Sequence, residues 1–501
     1  MEIKKAENVF VNTKYFKDLC KNYLNENNFM FENNYINNTN EDVAIKHQDD
    51  KVNFTLEKED GALSNSIYKI NFKDKKILLK LFSNNDLSNL INRKLEIEIY
   101  DILNKTNEGI IIYESDYKTY VLEEYLIDYL PILENDCIFS NLNNVEKYEE
   151  LIFNKILNFN SINCNQISNK IININEFIIS ILNSLDSKCD ILSEFSLIIQ
   201  YIKVVFLDFN IRDNYTKKFN TTKNNILKVG VDNLDLISKY KAHSTCFSKN
   251  LNKISHSNSL INKSYINSYL NQHFNLSSSE NIKNLNFNRN NSNINNNLFL
   301  INKNTYSSFK SFIKVLSHND LHYGNIMINK YDALNIKLID YEYSCFNYIG
   351  FDIANFFLES LFDFGYTKYP YYQLKEDPEV LFKNKKYFKK FICFMYNYSI
   401  KNSKCLLFNN FCIKNLKYIF EYVNMSDNKL QLNSSIENEY NLYKQYYFYL
   451  LALSSALWSL VALANIKLNE EYNKESFSYY NYTLDRIRVF NLYLEKYLVL
   501  N

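Results

Sequence analysis

The sequence predicts an α+β protein in which a small antiparallel β-rich lobe precedes a larger, mostly helical lobe. Three short apolar runs between residues 51 and 82 read VNFTL, SIYKINF and KILLKLF, and Gly61 separates the first two. This pattern is typical of an antiparallel meander. After Asp128 the apolar residues recur at helical spacing. The length of 501 residues is sufficient for two lobes with insertions.

The other elements of the first lobe follow in chain order. Residues 12–25 have apolar side chains at helical spacing and predict an amphipathic helix, followed by an Asn-rich stretch that extends to about residue 50. Residues 87–103 also predict a helix, and the runs GIIIYES and TYVLEEYL predict a further hairpin. The small lobe is therefore expected to contain β-strands and one helix.

A tract of low complexity interrupts the second lobe. Helices are predicted at 145–158 and 177–206, whereas residues 281–300 hold ten Asn in twenty positions. Such a tract cannot bury enough apolar surface to offset the entropy of ordering, and we expect a disordered insertion within a folded domain. The predicted segments are 1–50, 51–127, 128–214, 215–305 and 306–501.

The composition excludes several classes of protein. Lys and Arg number 57 and Asp and Glu number 56, so the net charge of +1 does not indicate a nucleic-acid partner. Nine cysteines occur without a C-x-x-C spacing, which disfavours a zinc ribbon and favours free thiols in a reducing compartment. The first residues show no secretory pattern. We therefore expect a cytoplasmic protein.

One segment could instead indicate a membrane protein. Residues 446–466 carry no charge over 21 positions, which is long enough to span a bilayer. The segment also contains Ser454, Ser455, Ser459 and Asn465 and lies inside a longer helical pattern. A fully buried helix is the favoured interpretation, so no stable membrane span is expected.

The segment 315–357 contains the candidate catalytic and metal-binding residues. His318 and Asp320 precede Asn325 in a tight loop, and Asp340 follows the apolar run that ends at Ile339. Phosphoryl transfer needs a carboxylate that accepts the proton of the attacking hydroxyl, and oxygen ligands that hold Mg²⁺ against the phosphates. Asp320 suits the first role. Asn325 and Asp340 suit the second.

Three further interpretations concern this segment. Glu342 lies two residues after Asp340 and is a candidate auxiliary metal ligand. A metal pair at His318 and His322 with Asp320 as a third ligand is a competing hypothesis, but no H-E-x-x-H is present. An ordinary surface turn is the third. We expect His318 to brace the loop by packing and hydrogen bonding.

The small lobe offers groups that could bind a nucleotide through its backbone. The loop that contains Gly61, Ser64 and Asn65 links two strands and could place N–H groups over phosphates. In the run YVLEEYL, which is expected to connect the lobes, the backbone groups of Glu124 and Leu126 could bind an adenine.

Lys80 is a candidate phosphate ligand. It lies in the apolar run KILLKLF, where an inward-facing lysine is rare unless it is paired. Glu96 on the following helix is its predicted partner, with Glu98 as the alternative. An exposed lysine on an edge strand remains the competing interpretation.

Two motifs resemble a known family. HNDLHYGNI is similar to the phosphotransferase loop of choline/ethanolamine kinases, aminoglycoside phosphotransferases and related kinase-like enzymes. IDYEYSCFNYIGFDIANFF resembles the choline/ethanolamine kinase family more narrowly. The resemblance covers 12–25, 51–205 and 305–501. It implies a two-lobed protein-kinase-like fold and phosphorylation of choline or ethanolamine with ATP and Mg²⁺, a step that supplies phospholipid head-group synthesis.

The resemblance also implies residue roles. Asp320 would be the catalytic base, Asn325 and Asp340 would form the magnesium and phosphate site, and Lys80 would contact phosphate while paired with Glu96. A quaternary ammonium has no hydrogen-bond donor, so aromatic faces and a nearby carboxylate hold it best. The family pattern places such a cage at Tyr343, Glu359, Phe364, Trp458 and Tyr482.

The sequence departs from the family pattern at the alcohol site. Ser455 stands where the family usually has a second aromatic residue, and simple core packing remains an alternative role for Trp458. The aromatic stretch after residue 361 favours choline as substrate, whereas Ser455 favours ethanolamine. An ethanolamine kinase proper and a catalytically inactive kinase-like scaffold are the alternative functions, and a homodimer remains open.

Overall fold

The computed structural model shows a sheet-rich part and a mostly helical part. It describes residues 2–18, 43–46, 51–59, 65–72, 75–82, 91–132, 142–163, 167, 171–185, 199, 202, 313–332, 334–402, 413–425, 434–466 and 477–499. One compact unit comprises Met1–Lys203 and Phe309–Asn501. A second comprises Val204–Ser308. It contains the predicted insertion at 215–305, which lies outside the described residues.

The small lobe is built on a six-stranded antiparallel sheet with the strand order β1-β2-β3-β4-β6-β5. Its strands are β1 (Val43–Lys46), β2 (Lys51–Glu59), β3 (Asn65–Phe72), β4 (Lys75–Phe82), β5 (Ile112–Ser115) and β6 (Tyr120–Glu124). The meander and the second hairpin are confirmed. Strand β1 precedes residue 51 and pairs with β2, so the sheet extends into the Asn-rich stretch.

The N-terminal helix differs from the prediction. Helix α1 is Glu2–Asn12 and ends where the predicted helix begins, although residues 14–18 are again helical. Ala6 and Phe10, one turn apart, are fully buried, and Phe10 and Phe16 pack against Phe54 of β2. The helix is therefore stabilised by apolar side chains that cover one face of the sheet. This tertiary contact could not be predicted from the charged residues at the start of the sequence.

Helix α2 (Arg93–Asn104) connects the two hairpins of the small lobe. It begins later than the predicted residue 87 because Asn92 caps it, with its side-chain oxygen accepting from the Leu95 amide at 3.2 Å. The buried side of α2 includes Arg93, Glu96 and Tyr100. These polar residues face the second lobe, as the contacts of the site show.

The second lobe combines short strands with helices. Strands β9 (Ile326–Asn329) and β10 (Ile336–Leu338) form an antiparallel pair, which β7 (Tyr129–Pro131) extends to three antiparallel strands. Strand β8 (Lys314–Ser317) pairs with β11 (Cys345–Tyr348), and β12 (Phe362–Asp363) pairs with β13 (Gln373–Leu374). The segment between β8 and β9 contains the predicted catalytic loop.

Helices make up most of the second lobe. They are α3 (Leu142–Asn160), α4 (Ile174–Leu185), α5 (Phe351–Glu359), α6 (Val380–Lys383), α7 (Lys385–Lys401), α8 (Ile413–Asn424), α9 (Ser434–Asn465) and α10 (Tyr479–Val499). Helices α3 and α4 confirm the predicted helices at 145–158 and at the start of 177–206. Most of the latter beyond residue 185 lies outside the described residues.

Helix α9 contains the uncharged segment. By length and composition it could cross a membrane, but 94% of its most apolar stretch is buried inside the protein. Its buried residues include Ser454, Ser455 and Ser459. This is the burial expected of a core helix, which was the favoured interpretation.

Candidate active site

The loop that contains Asp320 is held by buried side chains. The Asp352 carboxylate accepts hydrogen bonds from the backbone amides of His318 and Asn319, both at 3.0 Å. On the other side of Asp320, the Asn325 side-chain nitrogen donates to the Asp320 carbonyl at 2.8 Å. Both ends of the loop are therefore fixed by groups that are nearly or fully buried.

The same loop is joined to the residue before Asp340. His318 Nε2 lies 2.9 Å from the Ile339 carbonyl, and the Ile339 amide donates to the Asn325 carbonyl at 3.0 Å. Because a carbonyl oxygen can only accept, Nε2 carries the proton. Two hydrogen bonds to one residue thus bring the Asp320 loop and the Asp340 segment together. The bracing role predicted for His318 is what this contact provides.

Two residues of the site have left-handed backbone. Asn319 has φ 66° and Asp340 has φ 67°, a region that non-glycine residues seldom occupy and that clusters at functional sites. The Asn319 side chain donates to the Tyr343 carbonyl at 2.9 Å, and the Asp340 amide donates to the Tyr100 hydroxyl oxygen at 2.8 Å. These bonds hold both conformations in place.

The electrostatics place Asp320 among acidic groups. Burial raises the pKa of Asp320 well above its usual value, and the charges of Asp340, Glu359 and Glu342 raise it further. Such a concentration of negative charge is unfavourable unless cations join it. The site is therefore arranged to receive positive charge close to Asp320.

Lys80 reaches this site from strand β4. Its Nζ lies 3.1 Å from Glu123 Oε1 and 3.9 Å from Asp340 Oδ1. The expected ion pair between Lys80 and Glu96 is wrong, because the ion-pair partner of Glu96 is Arg93, at 3.2 Å. Burial lowers the pKa of Lys80, but the charges of Glu123, Asp340 and Glu96 raise it by more. The lysine is therefore charged.

Arg93 joins the two lobes in a way that the sequence analysis missed. It forms a hydrogen-bonded ion pair with Glu342, and its Nη2 donates to Asn65 Oδ1 at 3.2 Å. Asn65 in turn donates to Glu342 Oε2 at 3.2 Å. Burial and the Asp340 charge raise the pKa of Glu342 to about 7. Glu342 is thus part of an inter-lobe ion pair, and its auxiliary metal role stays a prediction.

The other predicted nucleotide groups are only partly described. Gly61 and Ser64 lie outside the described residues. The Glu124 amide donates to the Ile111 carbonyl at 2.8 Å, and the Leu126 carbonyl accepts from the Tyr129 amide at 3.1 Å. These two backbone groups are occupied, so adenine recognition at this connection would use other backbone atoms.

The competing metal pair of histidines receives no support from the geometry. His318 Nε2 faces the Ile339 carbonyl, and His322 Nδ1 accepts from the Gly324 amide at 3.0 Å. A Cβ added at Gly324 would lie 2.7 Å from the His322 ring, so a larger residue there would force that ring to move. Within the described ranges, no group of three or more His, Cys, Asp or Glu is arranged to hold a metal.

The predicted aromatic residues form two neighbouring sets. Trp458 lies edge-on to Tyr343, with ring centroids 5.4 Å apart. Phe364 lies 6.0 Å from Tyr482 and 6.2 Å from the His322 ring. Since His322 is two residues from Asp320, the second set adjoins the catalytic loop.

The carboxylate predicted for the cage already has a partner. Glu359 forms a buried ion pair with Arg486, which also donates to the Tyr482 hydroxyl. The guanidinium carbon lies 4.1 Å from the centroid of Phe362 and 4.8 Å from that of Tyr482. Glu359 is therefore not a free counter-ion, and its contact with a substrate cation stays a prediction.

Several residues that hold the site were not foreseen. Asp352 could have been noticed as a charge in the otherwise largely apolar run IGFDIANFF, because a buried charge needs a partner. Arg486 lies beside Asp485 and near Arg488 and gave no such signal. Arg93 and Glu123 gave a weaker signal, since charged residues in a helix and at a strand end are common on surfaces.

The described residues suit a magnesium ion bound together with phosphates. Asp340 Oδ1 is buried and takes part in no hydrogen bond within the described structure. Asn325 uses its side-chain nitrogen on Asp320, which leaves its oxygen as the remaining ligand. Mg²⁺ commonly takes one or two protein oxygens and completes its shell with phosphate and water. Asp340 and Asn325 match that requirement.

Comparison with known proteins identifies a family. The family model described as choline/ethanolamine kinase matches residues 237–491, just over half of the chain. The match begins inside 215–305, a segment expected to lie outside the resemblance. Probable ethanolamine kinase B of Dictyostelium discoideum is 34% identical over 139 residues, 27% of this chain and 30% of the relative. Choline kinase alpha of Mus musculus is 43% identical over 63 residues, which are 12% of this chain and 14% of the relative.

Solved structures were also compared. An ethanolamine kinase of Plasmodium vivax has a TM-score of 0.43 at 15% identity, covering 89% of this chain and 84% of that one. Choline kinase from Cryptosporidium parvum Iowa II has a TM-score of 0.38 at 15% identity, covering 88% of each chain. The matched segments span less than a third of the two curated relatives from Dictyostelium and mouse. The family model matches more than half of this chain, and the chain therefore belongs to the choline/ethanolamine kinase family.

Proposed function

We propose that this protein transfers the γ-phosphoryl group of ATP to the hydroxyl of choline or ethanolamine. The observation that supports this most is the pair of hydrogen bonds between Ile339 and the loop from His318 to Asn325. They bring a candidate base and two candidate metal ligands to one place. Family membership agrees with this chemistry.

The residues of the site have separate roles in this proposal. Asp320 orients the substrate hydroxyl and accepts its proton, a contribution of about 10²–10⁴-fold in rate. Lys80, held between Glu123 and Asp340, neutralises phosphate charge. A magnesium ion bound by Asn325 and Asp340 would stabilise the charge on the transferred phosphoryl group.

The acceptor is a small amino alcohol. Tyr343, Trp458, Phe364 and Tyr482 offer aromatic faces to a cation. The Glu359 charge is balanced by Arg486, so the ammonium group would rely on these rings and on Asp320. Relatives named as choline kinases and as an ethanolamine kinase are both similar to this chain. We favour choline, with ethanolamine as the alternative.

A substrate panel tests the proposal. The full chain is incubated with labelled ATP and Mg²⁺ and with choline, ethanolamine, the methylated intermediates or an aminoglycoside. We expect phosphorylation of the amino alcohols, with choline preferred. Asp320→Ala should abolish turnover while the protein stays folded and binds ATP. An unchanged rate in that variant would reject the mechanism, and a folded wild-type protein without turnover would favour the inactive scaffold.

The proposal extends to the setting of the reaction. The phosphorylated amino alcohol would supply phospholipid head-group synthesis, and we place the protein in the cytoplasm. Cell fractionation with a tagged full chain tests the location, and sedimentation of the purified protein tests whether it forms a homodimer.

A further inference from the structure

Helix α5 carries a buried polar stripe. Asp352, Asn355 and Glu359 are three and four residues apart and therefore lie on one face of the helix. All three side chains are at most 4% exposed in a helix that is otherwise largely apolar. Asp352 holds the start of the catalytic loop, and Glu359 pairs with Arg486 beside the aromatic residues. Asn355 lies between these two contacts.

The bonds of Asn355 point in two directions. Its side-chain nitrogen donates to the carbonyl of Leu321 at 3.1 Å. Its side-chain oxygen accepts from Trp458 Nε1 at 3.1 Å and from Ser454 Oγ at 2.6 Å. An amide oxygen has two lone pairs, so both acceptor positions are filled. The side chain is fully buried, and water cannot replace a lost partner without entering the core.

We infer that Asn355 is a positioning residue that holds the Asp320 loop and the Trp458 ring at a fixed separation. Leu321 is the residue next to the proposed base, and Trp458 packs edge-on against Tyr343. Because the amide group is planar and rigid, it fixes the loop and the ring relative to each other. The inference rests on the proposed function and adds a determinant of how the amino alcohol is aligned with the base.

Kinetics of Asn355→Leu test this arrangement. Leucine keeps the approximate size and removes all three hydrogen bonds. We expect kcat to fall roughly tenfold or more and the KM for the amino alcohol to rise several-fold, since each lost buried bond has an effect of about that size. The KM for ATP should not change. Equal effects on both KM values, or an unchanged kcat, would overturn the inference.

A matched control is Ser459→Ala. Ser459 is a fully buried serine on the same helix as Trp458, and its hydroxyl donates to the Ala456 carbonyl at 2.8 Å. This bond stays within helix α9 and does not involve Asn355. All kinetic constants of this variant are expected to stay within about twofold of the wild type. If Ser459→Ala reproduced the split between kcat and KM, a general effect of core polarity would replace the specific role of Asn355.

Asn355→Asp keeps the inference testable if the leucine variant does not fold. A protonated carboxyl can donate to Leu321 and accept from Trp458, whereas an ionised one can only accept. The variant should therefore approach the wild-type kcat at low pH and lose it as the pH rises, relative to the wild-type profile. A profile parallel to that of the wild type would contradict the positioning role.

Two measurements are independent of the substrate. Trp458 is the single tryptophan of the chain, so its fluorescence reports directly on the indole that Asn355 binds. Asn355→Leu should shift the emission and increase hydrogen exchange in the loop around Leu321. Unchanged emission and exchange would refute the link. If the link is present but the wild type phosphorylates no amino alcohol, the proposed function fails and the structural connection stands.

Discussion

Replacing Arg486 by methionine leaves the Glu359 carboxylate buried without its counter-ion. The wild-type guanidinium is fully buried and Glu359 is 4% exposed. Burial already raises the pKa of Glu359, and Arg486 opposes that shift. Without the arginine, the carboxyl is expected to take up a proton, because an isolated buried carboxylate is more costly than a neutral one.

The size of the effect follows from this protonation. Neutralising a carboxyl with an ordinary pKa of 4.5 at pH 7 costs at most about 3.4 kcal/mol, at ~1.36 kcal/mol per pH unit. Loss of the contacts with the rings of Phe362 and Tyr482 adds about 0.5–2 kcal/mol. We therefore expect Arg486→Met to lower the free energy of unfolding by roughly 4 kcal/mol at pH 7.

The dependence on pH distinguishes this cause from lost packing. A raised folded-state pKa gives stability that is present below the unfolded pKa and is lost as the pH rises. The difference between variant and wild type should therefore widen from acidic to neutral pH. At pH 5 the contribution of protonation should be only about 0.7 kcal/mol. Urea unfolding, followed by circular dichroism at several pH values, measures this difference in the free energy of unfolding.

Two further variants complete the test. Arg488 is an exposed arginine on the same helix, and Arg488→Met should change stability by less than about 0.5 kcal/mol. Adding Glu359→Gln to Arg486→Met removes the carboxyl that must be protonated and should restore much of the lost stability. A loss that is independent of pH, or additive effects of the two substitutions, would refute the expected protonation of Glu359.

Three other predictions concern charged residues of the site. Lys80→Met should reduce kcat/KM for ATP at least tenfold, and it should lower the free energy of unfolding by about 3–5 kcal/mol because Glu123 remains buried without its partner. Kinetics and urea unfolding measure these effects, and full activity would exclude a role of Lys80 in phosphate binding. Arg93→Met should destabilise by a similar amount, since Glu342 loses its inter-lobe partner; calorimetry would show it, and an unchanged melting temperature would contradict it. Asp320→Asn should abolish turnover without loss of stability at neutral pH, because one of several crowded acidic groups is removed; a clear destabilisation would argue against that crowding.

The sequence predicted the parts of the site that depend on local spacing. Asp320 and Asn325 lie five residues apart in one loop, and Asp340 lies two residues after the end of strand β10, so a motif could reveal them. The partner of Lys80 depends instead on the register between β4 and β6. Lys80 is opposite Val121, which places Glu123 diagonally across on the same face. That register is not visible in the sequence, whereas Glu96 lies on the helix that follows Lys80 in the chain.

The same reasoning explains the other differences in the fold. Helix α1 and strand β1 are short, with 11 and four residues, so packing against the sheet and pairing with β2 stabilise them more than their own sequences do. The long apolar helix α9 was recognisable, but its bond to Asn355 connects elements about a hundred residues apart. Interactions of this kind emerge only when the helices are packed.

Helix α2 has a consequence for how this family member can vary. Arg93, Glu96 and Tyr100 recur on its buried side. Arg93 pairs with Glu96 and with Glu342, and the Tyr100 hydroxyl accepts from the Asp340 amide. Inserting one residue between Glu96 and Tyr100 would rotate the contacts on either side of it by about 100° relative to each other. Substitutions on the outer face of this helix should thus be tolerated, while single-residue insertions or deletions within it should inactivate the protein even when its sheet remains complete.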